Sequence, residues 1–251
     1  KKSETIGIFQ SADIEQAELA VDAATQAFET WRRFSSQYRA DVLFRVADIL
    51  RARRLEMNAW MMLEVGKTWT EADADTAEAI DFCEFYAREA LRYAELQPLI
   101  PLAGESNELR HIPLGAGAVI SPWNFPCAIL IGMTMAAIAV GNTIVLKPSS
   151  DAPAVAAFVM QILEEAGAPP GVVNFITGGG DTVGEAIVQN PKIRFIAFTG
   201  SKDAGLRIVE EAARPRPGQK WIKRVVAEMG GKGFIIVDED ADLEDALEGV
   251  H

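Results

Sequence analysis

The second half of the chain alternates short apolar runs with helical patterns, and this rhythm restricts the possible folds more than any other sequence feature. The apolar runs predict strands at residues 118–121, 143–147, 172–177, 195–198 and 222–227. Helical patterns fall between most of them, at residues 128–140, 155–165, 183–189 and 204–213. Short apolar strands that alternate with helices predict an α/β fold, a parallel sheet with helices on both faces. In such sheets, ligands bind beyond the carboxyl ends of the strands.

The first hundred residues predict an N-terminal helical segment, because apolar residues recur there at helical spacing with charges between them. Asp13 is a candidate N-cap for the first helix. The polar alternation at residues 108–111 indicates a hairpin strand, and His111 within it is expected at the surface rather than as a metal ligand. The three apolar stripes consist of Ala17, Val21, Ala24, Phe28 and Trp31, of Leu43, Val46 and Leu50, and of Cys83, Tyr86, Ala90 and Tyr93.

The balance of charge argues against nucleic-acid and membrane partners. The 251 residues include 36 acidic and 24 basic side chains, a formal net charge of −12, which repels a duplex or an anionic membrane. Residues 128–146 carry no charge, but a Gly-Asn-Thr break at 141–143 predicts a buried helix and a buried strand rather than a membrane span. Cys83 and Cys127 lack metal or redox spacing, so buried free thiols in a reducing, cytoplasmic compartment are expected.

Polar residues follow the first two predicted strands. Asn124 stands in a proline-bounded loop, residues 121–126, where its amide could donate to a developing oxyanion or cap the next helix. Lys147 precedes a proline and two serines, a pattern that suits the hydroxyls or phosphates of a nucleotide. The alternative for this second pattern is a solvated lysine and a helix-capping serine.

Glycines follow the next two predicted strands. Residues 178–180 are all glycine, which either lets the backbone approach a ligand closely or makes a turn. Gly200 and Gly205 flank the start of a helix, where a pyrophosphate could approach the free N–H groups. The pattern is not the G-x-G-x-x-G fingerprint, and a glycine pair alone is weak evidence. Four such signals at successive strand ends together indicate a ligand site.

A carboxylate ends the fifth predicted strand, in the stretch Glu-Met-Gly-Gly-Lys at residues 228–232, and a further strand-like run follows at 234–237. Gly230 and Gly231 leave the backbone next to Glu228 bare, so its carboxylate can be partly desolvated near a bound ligand and act as a general base. The alternative is a surface glutamate before a Gly-Gly bend.

Four of these motifs resemble those of the aldehyde dehydrogenase superfamily, in the same order and at the same spacing. They are Pro-Trp-Asn-Phe-Pro at 122–126, Lys-Pro-Ser at 147–149, Phe-Thr-Gly-Ser at 198–201 and the stretch at 228–232. The resemblance covers essentially the whole chain, and residues 218–226 are most similar to the branch that oxidises L-glutamate γ-semialdehyde in proline breakdown. It implies a Rossmann-like fold and the NAD(P)-dependent oxidation of an aldehyde to a carboxylic acid.

The resemblance also implies residue roles. A Cys thiolate attacks the aldehyde, Asn124 and a backbone N–H hold the oxyanion, and water activated by Glu228 releases the acid. Lys147 holds the adenosine ribose and helps to organise the Asn124 side. The expected cofactor site, with no metal, comprises Ile120, Ser121, Trp123, Lys147, Ser149, Ser150, Gly180, Phe198, Thr199, Gly200, Ser201, Ala204, Met229 and Gly230.

Two features depart from the family pattern. Ser150 stands where many NAD-preferring members carry a glutamate that accepts both ribose hydroxyls, so NAD is expected to be preferred with some tolerance of NADP. The nucleophilic Cys is expected about thirty-five residues beyond Glu228, but 23 residues follow Glu228 and none is Cys. Cys127 follows the Asn124 loop directly, yet its place at the start of a buried helix predicts a structural thiol.

These features predict the cofactor-binding half of an enzyme. Residues 1–230 are expected to form the NAD(P)-binding domain, with an oligomerisation strand near 106–118, and residues 231–251 to begin a catalytic domain. The chain alone is then expected to be inactive, whereas the full-length protein would be a homo-oligomer that acts on a small aldehyde. A non-catalytic nucleotide-binding module is one alternative, and an acyl-phosphate reductase relative, which has no use for Glu228, is another.

Overall fold

A parallel five-stranded sheet is the centre of the structure, which is a computed structural model that describes residues 4–250. The strands lie in the order β3-β2-β1-β4-β5, and every neighbouring pair is parallel. The predicted α/β class and parallel sheet are therefore confirmed. The strands are β1 (Ala116–Ile120), β2 (Thr143–Lys147), β3 (Val173–Phe175), β4 (Phe195–Thr199) and β5 (Arg224–Glu228).

Helices surround this sheet in the described residues. Four precede it: α1 (Ile14–Trp31), α2 (Ser36–Ala52), α3 (Arg54–Glu64) and α4 (Trp69–Ala94). The connections between strands carry α5 (Ala128–Ala139), α6 (Pro153–Glu165), a π-helical turn (Gly180–Gly184) that runs into α7 (Glu185–Gln189), and α8 (Lys202–Ala213). A short helix, α9 (Leu243–Val250), follows β5. The four helices predicted between the strands therefore exist, with starts shifted by up to two residues.

The alternation of side chains along the strands divides the core into two clusters, one on each face of the sheet. Val119, Ile144 and Leu146 pack in the larger cluster, with α5, α6 and the outer layer formed by α2, α3 and α4. Ala118 and Val145 pack in the other cluster, with α1, α7 and α8. The N-terminal helices thus cover both faces, α1 one of them and α2 to α4 the other.

Polar side chains of the N-terminal segment bind both ends of the two helices on the larger cluster's face. At the C-terminal ends, Trp31 Nε1 donates to Ile138 O over 3.0 Å, Arg39 Nε to Ala139 O over 2.9 Å, and Arg45 Nε to Ala166 O over 2.7 Å. The first two carbonyls belong to α5 and the third is at the C-cap of α6. Terminal helix carbonyls have no partner within their own helix, so these bonds satisfy groups that burial would otherwise leave unpaired.

Carboxylates of the same segment bind the opposite ends. Glu64 accepts from the backbone N–H groups of Ala154 and Val155 in the first turn of α6, over 2.6 and 2.8 Å. Asp75 accepts from Ala128 N in the first turn of α5, over 2.6 Å. Burial raises the pKa of Glu64, while the two N–H groups act to lower it. The capping residue of α6 is therefore about ninety positions away in the chain, and that of α5 about fifty.

The predicted N-terminal stripes form buried faces for the most part. Asp13 caps α1, and Gln16 completes a capping box with it. Within the stripes, Phe28 and Tyr86 are half-buried and Tyr93 is exposed, while the remaining residues are buried.

Two predicted strands are absent from the described chain. Residues 108–111 form no strand, because no described segment pairs with them, and His111 is exposed with its ring against Tyr93. Residues 234–237 form no strand either, and Phe234 is 81% exposed. From Gly231 to Val250 every residue except Ala246 is exposed, so this part shares no core with the sheet. No helix in residues 4–250 is both long and apolar enough to span a membrane.

The Glu64 cap gives a direct test of this fold. We expect Glu64→Ala to lower the free energy of unfolding by about 1–3 kcal/mol, because the N–H groups of Ala154 and Val155 lose their acceptor. Glu64→Gln keeps one acceptor oxygen and should cost less. Urea denaturation of the chain measures both. Glu56→Ala, an exposed change on the same helix, is the control; an equal loss in this variant would contradict the capping role.

Candidate active site

The carboxyl edge of the sheet contains the point where the strand order reverses. From β1 the chain moves outward through β2 to β3, then crosses back to place β4 on the other side of β1. Crevices at such a switch point are the usual ligand sites of open α/β sheets. The structure therefore brings the ends of β1, β2 and β4 together at the predicted position.

A cavity of about 280 Å³ opens at this point, between the strand ends and the helices of the smaller cluster's face. Ile120, Lys147 and Phe198 reach it from β1, β2 and β4, while Gly180 and Ala204 reach it from the π-helical turn and α8. These five residues were predicted for a cofactor site from separate motifs. A Cβ added to Gly180 would meet no atom within 4 Å, so the backbone there is open to the cavity.

Lys147 is the chemically distinctive residue of the cavity. It is 5% exposed, and its ammonium group donates to Pro148 O over 3.2 Å, its one hydrogen bond within the described chain. Burial lowers the pKa of Lys147. A buried ammonium with one carbonyl acceptor has donors to spare and gains from any further acceptor placed in the cavity.

Sequence reasoning missed the charged rim of the cavity. Asp203, Arg207 and Glu211 line it from α8, and Glu185 lines it from α7. Arg207 forms an ion pair with Glu185, and Gln189 donates to Glu185 over 2.7 Å and to Glu211 over 3.0 Å. The spacing of four residues along α8 was the available signal, since it places 203, 207 and 211 on one helix face.

The strand register separates the remaining predicted residues between the two faces of the sheet. Ile120 pairs with Lys147 and with Phe198, so all three lie on the cavity face. Thr199 pairs with Glu228 on the opposite face, where Thr199 Oγ1 contacts Met133 of α5 at 3.7 Å. Thr199 therefore does not line the cavity. Glu228 lies instead on the side from which α5 and its preceding loop approach.

Glu228 is exposed, so the half-desolvated setting expected for it is absent from the described chain. It ends an edge strand on which Arg224, Val226 and Glu228 all face solvent, with Val226 72% exposed. The backbone is nonetheless fixed, since Gly200 N donates to Glu228 O over 3.1 Å. The strand places the carboxylate at the sheet edge but leaves it in water.

The Asn124 loop enters α5 without capping it. The side chain of Asn124 is exposed, and the acceptor at the start of α5 is Asp75. The helix-cap alternative for Asn124 is therefore wrong, and its amide is free for another acceptor. Trp123 is 53% exposed and lies outside the cavity lining, whereas Ser121 is 4% exposed with a hydroxyl that has no hydrogen-bond partner in the described chain.

The two serines after β2 make local hydrogen bonds and do not line the cavity. Ser149 Oγ accepts from Asp151 N over 3.3 Å, and Ser150, which is exposed, donates to Gly178 O over 3.2 Å. Ser150 is therefore positioned beside the glycine stretch that leads to Gly180.

Ser201 and the glycines near α8 have different structural roles. Ser201 caps α8 by accepting from Ala204 N over 3.3 Å. A Cβ on Gly205 would stand 2.5 Å from the sulfur of Met229, so this glycine lets α8 pack against Met229, which directly follows β5. The expectation that Gly205 admits a pyrophosphate is not supported by this geometry. Gly200 adjoins the Phe198 ring, and Gly230 is exposed with open space around it.

Neither cysteine is suited to nucleophilic chemistry. Both are free and buried. Burial raises the pKa of Cys83 to about 12, and burial together with the nearby Asp75 charge raises the pKa of Cys127 well above its ordinary value. Nucleophilic thiolates require the opposite, a lowered pKa and access to substrate. The interpretation of Cys127 as a structural thiol agrees with these properties.

Sequence comparison relates this chain to one family of known proteins. The model of the aldehyde dehydrogenase family matches residues 1–251. The 1-pyrroline-5-carboxylate dehydrogenases of Geobacillus thermodenitrificans and Geobacillus kaustophilus are each 53% identical over 249 residues, 99% of this chain and 48% of the relative. The chain thus spans about half the length of the curated relatives it matches.

Solved structures agree with the sequence comparison. A Thermus 1-pyrroline-5-carboxylate dehydrogenase, described with bound NAD, superposes with a TM-score of 0.93 at 52% identity, covering 96% of this chain and 47% of that one. Proline utilization A from Bdellovibrio bacteriovorus gives a TM-score of 0.94 at 46% identity, covering 96% of this chain and 25% of that one.

A double-mutant cycle tests the role of Gly205. Alanine in a helix interior is favoured over glycine by about 1 kcal/mol, but the overlap with Met229 should outweigh this and make Gly205→Ala destabilising by about 1–3 kcal/mol. In a Met229→Ala background only the Phe198 ring, 3.1 Å from the added Cβ, remains close, so Gly205→Ala should cost much less than in the unmodified chain. Chemical denaturation of the four proteins measures the coupling; the same effect in both backgrounds would disprove the packing role.

Proposed function

The chain belongs to the aldehyde dehydrogenase family, and from this premise we propose that residues 1–230 bind NAD(P) for the oxidation of an aldehyde to a carboxylic acid. One observation carries the proposal: a buried, under-bonded Lys147 lines a cavity at the switch point of a parallel sheet. The Thermus relative described with bound NAD, which superposes over 96% of this chain, supports it. The chain's exposed part after Gly230 supports a domain boundary there.

The cavity residues suit the adenosine end of the cofactor. Lys147 offers ammonium donors to the ribose hydroxyls, and it forms no ion pair within the described chain. Ile120 and Phe198 offer apolar surface, and the bare backbone of Gly180 allows close approach. We propose that the start of α8, where Gly200, Ser201 and Ala204 lie, receives the pyrophosphate, because the positive end of the helix dipole favours an anion.

The reacting end is proposed to lie on the other face of the strand ends, with Ser121, Trp123, Thr199, Met229 and Gly230 along the path to it. The bound nicotinamide supplies the hydride acceptor. On that face, the exposed Asn124 amide can donate to an oxyanion, and Glu228 can take a proton from the water that releases the acid. Neither buried cysteine is proposed as the thiolate that attacks the aldehyde.

We propose L-glutamate γ-semialdehyde as the aldehyde and proline catabolism as the context. The support is the 53% identity to relatives named 1-pyrroline-5-carboxylate dehydrogenase, over nearly all of this chain but 48% of theirs. Two buried free thiols fit a reducing compartment such as the cytoplasm. The segment near 106–118 remains our proposal for an oligomer contact, since Ile112 within it is 81% exposed.

Calorimetry of NAD binding to the 251-residue chain tests the cavity. We expect Lys147→Met to weaken binding by about ten- to a hundredfold, the cost of losing hydrogen bonds from a charged donor. Gly180→Ala should also weaken binding without destabilising the fold, because its methyl group would project into open space on the cavity wall.

Gly233→Ala is the matched control, since its Cβ also meets no atom within 4 Å but lies far along the chain from every cavity residue. It should leave NAD affinity unchanged. Unaltered binding in both Lys147→Met and Gly180→Ala would refute the cavity as the cofactor site.

The identity of residue 150 should set the choice between the two cofactors. We expect the chain to prefer NAD but to bind NADP measurably, because Ser150 places no charge against a 2′-phosphate. Ser150→Glu should reduce NADP affinity by about tenfold or more while NAD binding persists, since like charges at close range repel. Equal or tighter binding of NADP by the unmodified chain would overturn the expected preference.

A further inference from the structure

A buried ion pair lies directly beneath the Asn124 loop. Asp75 of α4 is 1% exposed, and its Oδ2 lies 3.1 Å from the ammonium of Lys67. The side chains of this pair are 0% and 10% exposed, so it is the most buried ion pair within residues 4–250. Taking two charges out of water costs several kcal/mol per ion before their attraction is counted. A pair kept at such a cost needs a structural reason.

Asp75 and Lys67 contact the loop at different residues. Asp75 Oδ1 accepts from Ala128 N over 2.6 Å, which fixes the backbone where the loop enters α5. The ammonium of Lys67 lies 3.9 Å from the centroid of the Phe125 ring, a cation–π contact with the residue next to Asn124. Two prolines, at 122 and 126, restrict the loop backbone on either side of Asn124.

A simple helix cap would not need this arrangement. An Asn at position 75 could still accept from Ala128 N, and Glu64 caps α6 without an ion pair of its own. The carboxylate of Asp75 also pairs with Lys67, and Lys67 in turn contacts the loop through Phe125. The ion pair therefore stabilises the loop as well as the start of α5.

We propose that Asp75 and Lys67 are positioning residues, which hold the loop so that the Asn124 amide is presented in one orientation. The inference rests on the proposed function, in which Asn124 donates to the oxyanion of the aldehyde. A hydrogen-bond donor stabilises a transition state best when it already points to where the negative charge develops. If Asp75 and Lys67 fix the loop beforehand, the Asn124 amide need not be ordered as the oxyanion forms. Neither partner touches the cavity that Lys147 lines.

Hydrogen exchange and selective labelling of the 251-residue chain test the proposal. We compare Asp75→Asn, which can still accept from Ala128 N but no longer pairs with the cation, and Lys67→Met, which removes the cation. Both should speed amide exchange at residues 127 and 128, which are buried and of which Ala128 donates its N–H to Asp75, by about tenfold, the value of one desolvated cation–π contact. The side-chain amide signal of Asn124, one of six asparagines, should sharpen as the loop gains motion.

Two further variants separate this role from a general structural one. Lys67→Arg retains a cation that can pair with Asp75 and lie over Phe125, so it should exchange like the unmodified chain. Asp73→Asn removes a carboxylate two residues away that pairs with Arg54 instead, so it should leave the loop unchanged. Faster exchange in Asp73→Asn, or no rescue by Lys67→Arg, would overturn the assignment.

NAD calorimetry on the same variants distinguishes failure of the positioning role from failure of the proposed function. Unchanged NAD affinity together with faster loop exchange supports the positioning role. Unchanged exchange in Asp75→Asn and Lys67→Met refutes that role even if NAD binds. Failure of the unmodified chain to bind NAD refutes the proposed function, whatever the loop does.

Discussion

The capping of buried helix ends by distant side chains is the constraint on which the rest of this structure depends. The helices α5 and α6 are packed between the sheet and an outer helical layer, which shields several of their terminal N–H and C=O groups from water. Glu64 and Asp75 serve the N-terminal ends, while Arg39 and Arg45 serve the C-terminal ends. The N-terminal segment is therefore part of the same folded unit as the sheet.

That constraint also sets the geometry at the carboxyl edge of the sheet. With α5 fixed at both ends, the loop before it approaches on one face, while the cavity opens on the other. The register assigns Lys147 to the cavity face and Glu228 to the α5 face. A ligand that used both would have to pass across the strand ends from one face to the other. An extended dinucleotide has that shape, with an adenosine end and a reacting end well apart.

Much of the fold and part of the site could be predicted from the sequence. The strands and helices of the second half, the Asp13 cap and the position of Lys147 all follow from local patterns, since period and chain order determine them. Exposure could not be predicted in the same way. Glu228 and the run at 234–237 have the residues of a buried strand end and a strand, but burial requires a neighbouring element, and none of the described residues supplies one.

The sequence by itself determined the elements, their order and the set of polar residues that follow the strands, because hydrophobic period and turn residues act over a few positions. Only the tertiary structure decided which of those residues share a face and which bind a helix end. Gly205 packs on Met229, and Asp75 rather than Asn124 meets the start of α5. Such pairings join residues tens of positions apart, so they depend on packing, which no local pattern encodes.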